Sequence, residues 1–222
     1  MSPVDGQLNT GTANTIVTLS TGQYGAEDYL IRVETSDNYN NDAQSEDDKT
    51  AVVVCMKPAE TNQTIGGGYF EPVAPAGTYS GDASEEVTFS VGLQYNKSGT
   101  NLQGKASLAI PQMDGSIVYV KSNSLSSMKV VTTNGDKTST IYTKASIYRV
   151  NGGAVTSIDG NVTFRVDVFD KNGLVNTTDD EVGFTVLSSK GSTLYYSNRW
   201  VLTEKNAWQT KTQTFTGSIS VQ

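Results

Sequence analysis

Histidine is absent from the 222 residues, and cysteine occurs once, at Cys55. The first absence removes Ser-His-Asp and Cys-His catalysis together with every His-ligated metal. The second excludes an internal disulfide and a cysteine-based zinc site. Cys55 stands in "AVVVCM" and reads as a small apolar side chain in a strand. Positive charge is scarce as well. Against 23 Asp and Glu there are 16 Lys and Arg, a formal net charge of -7, so nucleic acid and anionic lipid would meet a repulsive field. No apolar run approaches the roughly 18 residues of a membrane-spanning helix. Met1 to Gly11 has neither the basic start nor the apolar stretch of a signal peptide. The expectation is a soluble chain without membrane insertion, either cytoplasmic or the mature part of something exported.

What fills the gap is strand-and-turn chemistry. Hydrophobic residues make up 36% and charged ones 18%, with Thr, Ser, Asn and Gly taking the difference, which predicts an all-β protein. "ANTIVTLS" and "DYLIRVE" alternate apolar and polar residues as half-buried strands do, and "KTAVVVCM" is continuous enough to be covered on both faces. These three pieces resemble the last strands of an immunoglobulin-like sandwich, with Tyr24 or Tyr29 as its tyrosine corner. A partial immunoglobulin-like unit is therefore expected over 1–57. "KPAETNQT" supplies a short linker, 58–64, and residues 65–222 form a larger domain.

In that larger part about ten strand candidates recur, from "GGYFEPV" to "TQTFTGSISVQ". Turn signals separate them, among them Asp114-Gly115, Asn134-Gly135, Asp159-Gly160 and Asn172-Gly173. "SIVYVKS" and "MKVVTT" count as two strands, and "STLYYSNRWVLTEKNAWQT" has room for one helical turn. The architecture predicted is an antiparallel β-sandwich. The glycines of "TIGGGYFEPVAPAGTYSG" are not a phosphate loop, because "YFEP" cannot begin the helix that such a loop needs. They read as the opening edge strand of the domain, near the closing "TGSISVQ".

"IGGGYFEP…AGTYSG", "VTFSVGLQYNKSGTNLQGKASLAI", "VYVKSNSLSSM", "VDVFDKNG", "DEVGFTV" and "GSTLYYSNRW", in this order, resemble a post-COAP-type β domain. Such domains lie near the ends of secreted multi-module surface proteins of Bacteroidetes-type bacteria. The resemblance covers Ile65 to the end, with "TGSISV" matching the family's glycine-led close only loosely. It implies an exported structural or adhesive module at the bacterial surface or in a surface fibre. It carries no catalytic residue, so no enzyme is expected. Partners would be other modules of the same protein or neighbouring subunits joined through open β edges.

Three further features bear on binding. "DVFDKNGLVNTTDDE" places Asp170, Asn172, Asp179, Asp180 and Glu181 around one loop, a set of oxygens suited to a structural Ca²⁺, although Asp, Asn and Gly also build any solvated hairpin loop. The acidic stretch "ETSDNYNNDAQSEDDK" poses the same choice. Tyr195, Trp200 and Trp208 could either cover the core or stack on sugar rings, which makes a carbohydrate-binding module the alternative function. Adjacent acids such as Glu85-Glu86 point to opposite faces of a strand and form no glycosidase dyad by themselves.

Overall fold

The computed structural model describes residues 62–171 and 179–222, together with the backbone of two strands near the start, Ala26–Ile31 and Ala51–Met56. These two, β1 (Ala26–Ile31) and β2 (Ala51–Met56), pair antiparallel with Tyr29 opposite Val53 and Glu27 opposite Cys55. They are two of the three strands expected there. The third, Tyr24, the acidic stretch and residues 58–61 of the expected linker lie outside the described residues.

The main body is all-β and antiparallel. In chain order its strands are β3 (Gln63–Phe70), β4 (Val87–Tyr95), β5 (Leu102–Pro111), β6 (Ile117–Thr133), β7 (Asp136–Asn151), β8 (Ala154–Asp170), β9 (Glu181–Leu187) and β10 (Leu194–Ser197). A small hairpin, β11 (Trp200–Leu202) and β12 (Trp208–Thr210), is followed by β13 (Gln213–Thr214) and β14 (Thr216–Val221). One ten-stranded sheet runs β10-β9-β8-β7-β6-β5-β4-β3-β14, with β13 also on β9. Among the described residues there is no helix. The helical turn expected near the end is replaced by β10 and the β11–β12 hairpin.

Three very long strands let this sheet fold over itself. β6, β7 and β8 span 17, 16 and 17 residues. Only Ile117–Lys121 of β6 pairs with β5, and only Thr163–Phe169 of β8 pairs with β9, so the two halves of each strand serve different layers. Bulges mark the corners, between Ser122 and Ser124 and between Leu125 and Ser127 in the β6–β7 ladder and around Ile147 in the β7–β8 ladder. An extra residue bends and twists a strand, which is how a sheet turns such a corner. The structure thus corrects two expectations. "SIVYVKS" and "MKVVTT" belong to the single strand β6, and Asp159-Gly160 is no hairpin turn. Gly160 and Asn161, the latter at φ 61°, form the bulge within β8.

The folded sheet encloses an apolar core. Val162, Phe164, Val166 and Val168 alternate inward along β8 and meet Val182, Phe184 and Val186 of β9. Across the layers Phe70 stacks on Phe184 with ring centroids 5.6 Å apart, and Phe89 stands 5.2 Å from the same ring. The linker expected over 58–64 ends earlier than its composition suggests. Gln63 and Thr64 are buried residues of β3. Their polarity is used internally: the Thr64 hydroxyl is hydrogen-bonded to the Ser139 hydroxyl at 2.7 Å, inside the fold.

Candidate functional site

The glycine triplet closes the domain, but not as the edge strand expected: β3 lies between β4 and β14, and β14 is the edge. Gly66, Gly67 and Gly68 face Ile219, Ser218 and Gly217 across the β3–β14 ladder. A Cβ on Gly66 would stand 2.5 Å from the Ile219 Cα, and one on Gly68 would sit on the Thr216 carbonyl. The two backbones approach too closely for side chains, and that contact is what the glycines serve. At the far end Gln63 and Gln222 exchange both backbone hydrogen bonds at 2.8 Å. Alternation along an antiparallel pair then turns the neighbouring Val221 N–H away from β3, where it donates to the Asp170 carboxylate at 2.7 Å.

The chain after the triplet covers the opposite edge of the sheet. Ala76 and Ser197 exchange backbone hydrogen bonds at 3.0 and 2.8 Å, and the N–H groups of Thr78 and Tyr79 donate to the carbonyls of Leu194 and Tyr195. "EPVAPAGTY" is therefore a strap over β10, and its prolines offer no donor for a further strand. Gly77, at φ 113°, allows the strap to touch the Tyr195 carbonyl.

Between β10 and β13 the outer edge of β9 would be left unpaired at Phe184. Asn198, fully buried, fills this gap with its side chain. Its carbonyl oxygen accepts the Phe184 N–H at 2.7 Å, and its amide donates to Gln213 Oε1 at 3.0 Å. Gln213 in turn accepts the Val73 N–H and donates to the Glu71 carbonyl, tying the strap to the same point. No sequence signal marks Asn198 or Gln213, because isolated amides in "YSNRW" and "KTQT" look like solvated loop residues.

The expected aromatic group divides. Trp200 and Trp208 come together across the β11–β12 hairpin as diagonal neighbours, Trp200 opposite Thr210 and Trp208 opposite Leu202. Their rings lie within 8° of parallel, with centroids 6.3 Å apart. Trp208 is 58% exposed and Leu202 49%, so of the two alternatives for Trp208 the covering of the core does not apply. Thr203 and Ala207 bond across the turn, and Arg199 holds the base by donating to the Thr212 carbonyl at 2.9 Å. Thr210 reaches Thr185 of β9 at 2.6 Å and Ser197 at 2.9 Å. Tyr195 belongs to another arrangement. Its ring packs edge-on against Tyr79, and its hydroxyl donates to Asp159 at 3.1 Å. Burial pushes the Tyr195 phenol up, and the Asp159 charge adds to this; the Ser189 N–H and the Tyr195 hydroxyl hold Asp159 low.

The acidic loop is used structurally where it is described. Asp170 caps Val221, and the buried Asp180 accepts the Lys171 N–H at 3.0 Å. Glu181 takes the Thr212 hydroxyl at 2.5 Å and pairs with Lys171 at 3.4 Å, while Asp179 is exposed. Asn172 lies outside the described residues. Among the described residues no three acidic, histidine or cysteine side chains stand together as a metal-binding group.

Compared with protein-family models, with curated proteins and with solved structures, the chain matches none.

Proposed function

We propose that this chain is a non-enzymatic extracellular module, structural and adhesive, of a bacterial surface protein or surface fibre. The observation that carries the reading is the way the sheet covers its own margins. One edge lies under a proline-containing strap, and the opposite edge strand is clamped to β3 through glycines and capped by Asp170. A sheet whose edges are managed in this way resists unplanned pairing in a crowded exterior. The mechanism is mechanical: long bent strands shared between two layers make the module stiff, and its surface hairpin is left for contact. Association with neighbouring modules would use what remains of the β edges.

The test is placement. Antibodies raised against residues 62–222 should label intact cells of the producing organism, and brief protease treatment of those cells should remove the signal. Labelling that appears only after lysis would overturn the extracellular reading. Sedimentation of the purified chain over a wide concentration range addresses the fibre. Concentration-dependent growth supports assembly through edges, and a strictly monomeric profile rejects it.

A further inference from the structure

The β11–β12 hairpin presents apolar surface that the fold does not use. We propose that Trp200 and Trp208 form a stacking platform for the pyranose rings of a polysaccharide. The proposal deepens the adhesive part of the function above; if it fails, the structural part stands.

Three observations carry it. Both tryptophans of the chain are here, and the two indoles are nearly parallel rather than edge-to-face. Stacked on Trp200, Trp208 is held with its indole exposed, a flat apolar face that matches the C–H face of a sugar ring. The platform is also rigid before any ligand arrives. The Thr203–Ala207 bonds, Asn206 in the left-handed region and the Thr210 contacts with Thr185 and Ser197 fix the hairpin, so little ordering cost remains for binding. Finally, the patch is small. A protein partner needs about 800 Å² per side from roughly 20–30 residues, whereas the exposed large hydrophobics here are Trp208 and Leu202 beside a half-buried Trp200. That area suits one or two sugar rings.

Local charge keeps acidic sugars within the class. Arg199, Lys205 and Lys211 against Glu204 give residues 199–211 a net +2 inside a chain of -7. A glycan bearing carboxylates would be repelled by the protein as a whole and accepted at this hairpin.

Because no other tryptophan contributes, intrinsic tryptophan fluorescence reads the site directly. The full chain is titrated with cellohexaose, with laminarihexaose and with an oligogalacturonate, and in parallel with phosphatidylcholine vesicles. A saturable change with at least one oligosaccharide is expected, together with a loss of affinity of at least about tenfold in Trp208→Ala. Trp208→Phe, which keeps a ring, should restore part of it. Thermal melting of each variant separates a lost site from a lost fold. Three results would overturn the proposal: no saturable response to any of the sugars, a response unchanged in a folded Trp208→Ala, or a response to vesicles alone. The last would make the hairpin a membrane-interface contact instead.

Discussion

The side-chain carbonyl of Asn198 takes the place of a strand: it accepts the Phe184 N–H at 2.7 Å where β9 has no backbone partner. Replacing Asn198 by Ala strands a buried backbone donor and removes a partner of Gln213, a loss of about 1–3 kcal/mol for each group left unsatisfied. Asn198→Asp puts a carboxylate oxygen against Gln213 Oε1 and should be at least as damaging. Urea unfolding of both variants measures the cost, and a midpoint equal to that of the parent would refute the role.

Tyr196 is fully buried in the core, and its hydroxyl has no hydrogen-bond partner among the described residues. Tyr196→Phe should therefore raise stability by about 1–2 kcal/mol, since an unsatisfied polar group is removed with little change of shape. Burial also pushes this phenol well above its ordinary range. The folded chain keeps the proton while the unfolded chain releases it near pH 10, so the phenol's titration leaves stability untouched below that value and lowers it as pH rises further. The Phe variant should lose less stability than the parent between neutral pH and pH values above about 10. Parallel alkaline slopes for the two proteins would contradict this.

Gly77 combines φ 113° with a Cβ position only 2.5 Å from the Tyr195 carbonyl oxygen. Gly77→Ala should lift the strap from β10 at a cost of about 1–3 kcal/mol. An uncovered edge strand recruits other chains, so the variant should also self-associate on concentration. Sedimentation alongside urea unfolding distinguishes this pair of effects from simple destabilisation without association.

Calcium at the loop around Asp170 and Asp180 has a direct thermal test. An ion bound only to the folded state raises the melting temperature with its concentration, so melts in excess Ca²⁺ and in EDTA should separate by several degrees. Coincident curves would retire the ion and leave Asp170 with the capping role its bond to Val221 already describes.

Much of the strand content is legible in the sequence. "NVTFRVDVFD" reads as a strand, and the structure has it within β8 with Val162, Phe164, Val166 and Val168 buried at every second position. The glycine triplet reads as an opening edge strand near the closing segment; the structure keeps the strand and that neighbour but sets β3 between β4 and β14, so the edge is β14. Less legible were the corners. Asp159-Gly160 reads as a hairpin turn, and only the pairing on both sides shows that Gly160 and Asn161 form a bulge instead.

Composition and local pattern by themselves determined that this is an antiparallel β protein without histidine chemistry and with glycines at its closing seam. The tertiary structure alone decided which strands bend, which amides are buried and which aromatics meet. The physical reason is that alternation specifies a strand's inner and outer faces but not its neighbour. Contacts such as Thr64 with Ser139 or Gln213 with Glu71 join residues far apart in the chain, and they exist only once the sheet order brings them together. Trp200 and Trp208 follow the same rule at short range: their spacing fits a covering role equally well, and the hairpin register makes them a pair.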